Sequence, residues 1–283
     1  MQSNNPVFRN SEEFNSQNAY GNSSYAGNAY GNYGQAPLDP SGRPTYAPVP
    51  SGARMTIDSV VQKTGLTVGL TILTAVVTWL MTPAIDDTGA VNQIYLVAML
   101  GAGAAFILSL VNSFKKVISP ALVLAFAVAE GVALGALSKA IETFVAADGG
   151  NGVVMQAVIG TFFAFVGTLA SYKFFDIKVT PKFQRFVIAG MFGMVGLGLL
   201  ELVLGMFGSS FGLFGFGGLG ILTAVAGLAL GVFMLILDFD FVEQGIANGL
   251  PEHESWRAAF GITVSLVWIY TNLLRLLAIF QDN

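Results

Sequence analysis

The sequence predicts an all-α integral membrane protein: a seven-transmembrane-helix bundle carrying a disordered amino-terminal tail. Three observations predict it. Of 283 residues, 54% are hydrophobic and only 11% are charged, whereas a soluble domain carries roughly 25% charged residues to solvate its surface. Seven apolar stretches follow residue 56, each long enough to cross about 30 Å of hydrocarbon at about 1.5 Å rise per residue. Residues 1–54 have a different composition, with Asn, Gly, Ser, Tyr and Pro and few aliphatic side chains.

The same composition removes several function classes. The charge deficit argues against a soluble enzyme. Lys and Arg total 13 against 17 Asp and Glu, and no basic cluster exceeds two adjacent residues, so no nucleic-acid partner is expected. Zero Cys removes disulfide scaffolds, thiolate metal sites and cysteine catalysis. A lone His253 removes His-cluster metal centres, and no cofactor is expected.

Taken in order, the tail (1–54) repeats a short unit, Asn18-Ala19-Tyr20-Gly21-Asn22 and then Asn28-Ala29-Tyr30-Gly31-Asn32. It has too little apolar area to offset its ordering entropy, which predicts disorder. Its spaced tyrosines suit either partner binding or a solvated tail. It is not a signal peptide, because the first apolar run begins near Leu66. Residues 55–283 form the membrane domain, with spans expected at 60–82, 93–113, 119–142, 152–173, 184–207, 213–237 and 258–280. Pro83 and Asp86-Asp87 break the first connection. Lys115-Lys116 and Pro120, the Gly-rich turn at 148–152, Thr180-Pro181, Gly208-Ser209-Ser210 and Asn248-Gly249-Leu250-Pro251 break the others.

Basic residues set orientation. With the amino terminus cytoplasmic, inside loops hold Arg9, Arg43, Arg54, Lys63, Lys115, Lys116, Lys173, Lys178, Lys182, Arg185 and Arg257, leaving only Lys139 and Arg275 for the outer half. The expected location is the plasma (inner) membrane, with the carboxyl terminus outside. Small residues in Gly131-Val-Ala-Leu-Gly135 and Gly227-Leu-Ala-Leu-Gly231, and the glycines 190, 193, 196 and 198, provide for close helix packing or for helix shifts.

Charge inside a bilayer is costly, at least ~2.5 kcal/mol for a carboxylate at its centre. Five ionisable groups fall in or at the ends of spans: Glu130, Glu201, Asp238, Asp240 and Arg275. Asp238 and Asp240, closing the sixth span, point about 200° apart on a helix. Only one can face the interior. The deeper Asp238 is the expected one, and Asp240 reads as an interfacial carboxylate. Burial disfavours a carboxylate's charged form, so Asp238 is a candidate pH sensor with Lys115 and Lys116 at the same level. Arg275 either snorkels or pairs with Glu201. His253, between Glu252 and Glu254, reads as a solvated turn rather than a metal site. No phosphate loop, nucleophile elbow or zinc-protease His pair occurs. The seventh span has no Lys for a retinal Schiff base.

Several stretches resemble the Bax inhibitor motif family of membrane proteins. They are the Asp-containing end of the sixth span, Gly249-Leu-Pro251, Trp256-Arg-Ala-Ala-Phe260-Gly261, and the run from Leu266 through Trp268, Tyr270 and Asn272 to Leu277. The stretch from Glu130-Gly131 to Thr161-Phe162 resembles the family's central signature, with Phe162 where a small residue is usual. Asn5-Pro6-Val7-Phe8-Arg9 resembles the start of actinobacterial members. The resemblance implies six helices around a central one and no enzymatic activity. It also implies a pH-sensitive calcium leak, or modulation of cell death or of a membrane protease. The family's gate pairs two aspartates on the sixth and seventh spans with a basic residue ending the second. Asp238 matches the first aspartate, and Lys115 or Lys116 the base. Ser265 stands where the second aspartate is expected, ten residues before Arg275, and Asn272 stands where many bacterial relatives have Glu. Two carboxylates sharing a proton titrate far apart; one carboxylate with Ser265 does not.

Three functions follow as expectations. The first is a leak for calcium or protons gated at Asp238, with Glu130 or Glu201 lining the route. The second is a non-transporting protein in the lipid bilayer that binds a membrane-protein partner. The third, a coupled transporter, predicts inverted repeats, and the two halves show no convincing similarity.

Overall fold

The computed structural model describes residues 53–82, 88–147 and 149–282. Apart from Ala53 and Arg54, the expected tail lies outside the described residues, as do Asp86, Asp87 and Asp148. Seven helices follow in order: α1 (Ile57–Met81), α2 (Thr88–Phe114), α3 (Pro120–Ala147), α4 (Val153–Phe174), α5 (Pro181–Met206), α6 (Gly218–Ala247) and α7 (Glu254–Asp282). All seven are long and apolar enough to cross a membrane. The protein is therefore a multi-pass membrane protein.

Helix starts follow local chemistry. Thr56 opens α1 with a reciprocal capping box, its hydroxyl accepting from Ser59 N–H at 3.1 Å while Ser59 Oγ accepts from Thr56 N–H at 3.0 Å. Thr180 caps α5 by accepting from Phe183 N–H, and Pro181 follows at the first helical position. Gly152, at φ 71°, has no side chain to cap α4. Glu142 of α3 does so instead, accepting from the N–H groups of Gly152 and Val154 at 2.5 and 2.9 Å.

The sixth and seventh helices depart most from expectation. Helix α6 begins at Gly218 rather than 213 and continues to Ala247, so Asp238 and Asp240 do not close it. Asp238 sits nine residues, about 13 Å, before its end. The stop is a Schellman motif at Gly249 (φ 65°), with Leu250 N–H donating to Gly245 O at 2.9 Å and Gly249 N–H to Ile246 O at 3.0 Å. An aspartate does not end the helix, because its side chain finds a partner on α7. Helix α7 starts at Glu254, four residues early, and so takes Arg257 out of the loop in which it was expected.

Helix α7 is central because residues from it enter every core cluster. Ala258, Ile262 and Ile269 join Met55, Val60, Leu235 and Phe239. Phe260 joins Ala105, Val123 and Phe126 of α2 and α3. Leu274 and Ala278 meet Val145, Val153 and Ala157 of α3 and α4. Val264 and Trp268 pack on Val187 and Leu230 of α5 and α6. Polar ties reinforce the placement: Trp268 Nε1 donates to Gly227 O at 2.9 Å, and Tyr270 Oη lies 2.7 Å from Ser138 Oγ.

Small residues let backbones approach where two helices meet. A Cβ on Gly135 would stand 2.9 Å from Thr78 Cβ and nearer still to Ala75 O, and Gly131 meets Thr71 and Thr74 in the same seam between α1 and α3. Gly227 and Gly231 similarly admit Asn272 and Ile269 between α6 and α7. The α5 glycines divide: Gly190 faces Leu230 and Gly198 faces Phe214, whereas Gly193 and Gly196 have nothing within 4 Å. Crowding of α5 by glycine is therefore limited to two of the four positions.

Candidate functional site

Three ionisable side chains in the spans, Lys139, Glu201 and Arg275, bind groups at helix ends or in the loop between α5 and α6. Lys139 of α3 donates to Trp79 O at 3.0 Å and to Thr82 O, so it occupies the negative end of α1. Glu201 accepts from the N–H groups of Phe211 (3.2 Å) and Gly212 (2.8 Å). Arg275 donates to Thr223 Oγ1 at 2.9 Å and to Gly220 O at 3.4 Å, with its guanidinium 4.9 Å from the Phe214 ring centroid. The expected Glu201–Arg275 pair is thus not formed, and Arg275 binds the start of α6 instead. The loop between α5 and α6 supplies Glu201 with nearer partners, and the start of α6 supplies Arg275.

A buried polar knot lies where α1, α2 and α7 meet, and sequence reasoning missed it. Glu254 and Arg257 are both 0% exposed and form an ion pair at 2.7 Å. Arg257 also donates to Lys116 O at 2.8 Å and reaches Lys115 O at 3.5 Å, satisfying carbonyls beyond the end of α2. Arg257 is therefore a buried structural cation rather than an inside-loop charge. The i, i+3 spacing of Glu254 and Arg257 was the available signal; placing both in a loop concealed it. Next to it, Ser59 Oγ meets Ser255 Oγ at 2.7 Å, and Lys63 pairs with Glu252 at 2.8 Å over the Trp256 ring. Residues 53–55 run along the turn, with Met55 N–H donating to Leu250 O at 2.7 Å and Glu252 N–H to Ala53 O at 2.8 Å.

The turn around His253 is not the solvated one expected. Its two carboxylate neighbours are committed to Lys63 and Arg257, and His253 Nε2 lies 3.5 Å from Glu254 Oε1. Among the described residues no group of three His, Asp or Glu side chains is arranged to hold a metal. The Lys63 ammonium holds the Glu252 carboxyl below its usual range, through a hydrogen bond and through its charge. A folded-state value below the unfolded one means that the contact contributes above the ordinary carboxylate range and fades as pH falls through the lowered value. An NMR titration of the Glu252 carboxyl carbon is expected to give a midpoint below the roughly 4.3 of a free Glu, returning to it in Lys63→Met.

Asp238 is left as the carboxylate buried between α6 and α7. It is 5% exposed, and Ser265, 1% exposed, donates to its Oδ2 at 2.5 Å. No described cation forms an ion pair with it. Lys115 and Lys116, expected as competitors at the same level, have exposed side chains, and Arg257 binds their backbone carbonyls. Asp240, two residues on, is half-buried and takes a hydrogen bond from Gln244 at 2.6 Å. It lines a separate open cleft of about 300 Å³ with Tyr172, Asp176 and Glu243. The two aspartates therefore lie on opposite sides of α6, as their spacing requires.

A family model described as Bax inhibitor 1 like matches residues 5–282, nearly the whole chain. The chain belongs to the Bax inhibitor 1-like family. No curated protein matches it. Within this Bax inhibitor 1-like bundle, the position at which the resemblance implies a second aspartate holds Ser265, and that hydroxyl occupies the place of a carboxyl partner to Asp238. Asn272, where the resemblance implies Glu in many bacterial relatives, donates back to Trp268 O on its own helix at 2.8 Å, with its side chain against Gly227.

Proposed function

We propose that the protein is a pH-responsive cation leak of the plasma membrane, with calcium or protons as permeant ions and the Asp238–Ser265 contact as its gate. The observation that carries this reading is a single carboxylate, buried without a cation, joining α6 to central α7 through one hydroxyl. One hydrogen bond offsets only part of the solvation that an ionised carboxylate loses on burial. A change in the charge of Asp238 therefore changes how strongly the two helices hold together. Lys115 and Lys116 act through the α2 end that Arg257 secures. The protein performs no catalysis in this reading. Its amino terminus is cytoplasmic and its carboxyl terminus outside, in keeping with eight cations besides the buried Arg257 (Arg54, Lys63, Lys115, Lys116, Lys173, Lys178, Lys182 and Arg185) at the end of the bundle where α1 begins. The Asn5–Arg9 motif supports an actinobacterial-type member.

Purified protein in liposomes is expected to pass calcium at a rate that varies with pH over about 5 to 8. In Asp238→Asn that variation is expected to disappear, and Ser265→Ala is expected to displace it. Absence of calcium or proton flux at every pH in that interval rejects the reading. A second reading is favoured by Ser265 at the second aspartate position: a non-transporting protein that modulates a membrane protease or stress response through a bound partner. It predicts no flux, together with a co-purifying membrane protein that is lost when residues 1–54 are deleted.

A further inference from the structure

Glu130 is an intramembrane carboxylate that neither the capping network nor the proposed gate uses. It projects from α3 into a cavity of about 380 Å³ between α2 and α3, with Thr271 of α7 also on its wall. The remaining lining is almost wholly apolar, including Ile94, Ala98 and Ala102 of α2 and Ala133 and Leu137 of α3. No described residue donates a hydrogen bond to the carboxylate or pairs with it. The cations that share this bundle are committed elsewhere: Lys139 to the end of α1, Arg275 to the start of α6 and Arg257 to Glu254. Thr271 donates its hydroxyl to the Val267 and Trp268 carbonyls of its own helix. Tyr95, Met99 and Ala102 line the cavity and are exposed on the outer face of α2, so its mouth opens sideways toward lipid.

These features specify a ligand class. Intramembrane carboxylates pair with a cation or mark a ligand path, and here the described residues supply no cation. A bare divalent ion is a poor fit, since calcium takes 6–8 oxygen ligands and the side chains lining this cavity offer one carboxylate and two hydroxyls, those of Tyr95 and Thr271. The walls favour an apolar body, and the volume lies within the roughly 300–1,000 Å³ of small-molecule sites. We propose that this cavity binds a hydrophobic amine arriving from the bilayer, its ammonium held by Glu130 and its apolar part held between α2 and α3. The site lies on a different helix pair from Asp238 and Ser265, so its test is independent of flux.

The test is saturable binding of tritiated N,N-dimethyldodecylamine to the full chain in phosphatidylcholine nanodiscs. Glu130→Gln is expected to weaken binding about tenfold or more, while Glu130→Asp retains part of it. Ala102→Trp fills the mouth and is expected to abolish binding with Glu130 intact. Glu201→Gln, which changes a distant carboxylate, is expected to bind as the unmodified chain does. Dodecanol, with the same tail and no charge, is expected not to compete. Circular dichroism and size-exclusion elution report whether each variant folds. Undiminished binding in folded Glu130→Gln overturns the proposal, as does equal competition by dodecanol or the absence of saturable binding in the unmodified chain.

Discussion

Arg257→Met is expected to destabilise the bundle by about 3–5 kcal/mol, the range for removing one member of a buried ion pair. Arg257 and Glu254 are both fully inaccessible. Removing the guanidinium leaves the Glu254 carboxylate buried without its cation and strips the donors from the Lys115 and Lys116 carbonyls. Three elements loosen together, because α7, the end of α2 and the neighbouring turn share this knot. The double change Glu254→Gln with Arg257→Met is expected to recover much of the loss, since it leaves no unpaired buried charge. Unfolding in mixed detergent micelles, followed by helical circular dichroism, reads both. If Arg257→Met unfolds at the same midpoint as the unmodified chain, the knot is not the fastening described above.

The second large effect is expected at Gly135. Its missing Cβ is what lets α3 lie against the α1 backbone, where an added methyl would meet Thr78 Cβ at 2.9 Å and Ala75 O closer than that. Backbone cannot swing aside as the end of a side chain can. Gly135→Val is therefore expected to cost at least ~2 kcal/mol, toward the upper end of overpacking penalties. Gly193→Ala, on a face of α5 with nothing within 4 Å, is expected to be neutral or to stabilise by up to ~1 kcal/mol, through helix propensity alone. The same unfolding assay separates them. Equal behaviour of the two variants would mean that the α1–α3 seam is looser than its backbone spacing indicates.

Much of the architecture was legible because hydrocarbon imposes a length and composition on each crossing. Helices α1 to α5 lie within a few residues of their expected spans, and Gly131, Gly135, Gly227 and Gly231 sit in helix seams. The inward placement of Asp238 relative to Asp240 followed from helical geometry, since two residues turn the side chain to the far side. The errors cluster where polar groups find partners remote in sequence. In the sequence Asp238 reads as a helix end, because a carboxylate in an apolar run looks like a boundary, but Ser265, 27 residues later, makes it an interior residue. Arg257 reads as a loop charge because the carbonyls it serves, at Lys115 and Lys116, are remote in sequence. Depth alone pairs Glu201 with Arg275, but loop N–H groups take Glu201 and the start of α6 takes Arg275.

The sequence by itself determined the number of helices, their order and the end of the bundle that gathers positive charge, because these depend on hydropathy along the chain and on local turn chemistry. Only the tertiary structure decided which charges are fasteners and which remain unpaired. A buried charge is satisfied by whichever donors and acceptors packing brings within about 3 Å, and those belong to other helices. Lys139, Arg257 and Glu142 thereby became caps, while Asp238 kept one hydroxyl and Glu130 faced an apolar cavity.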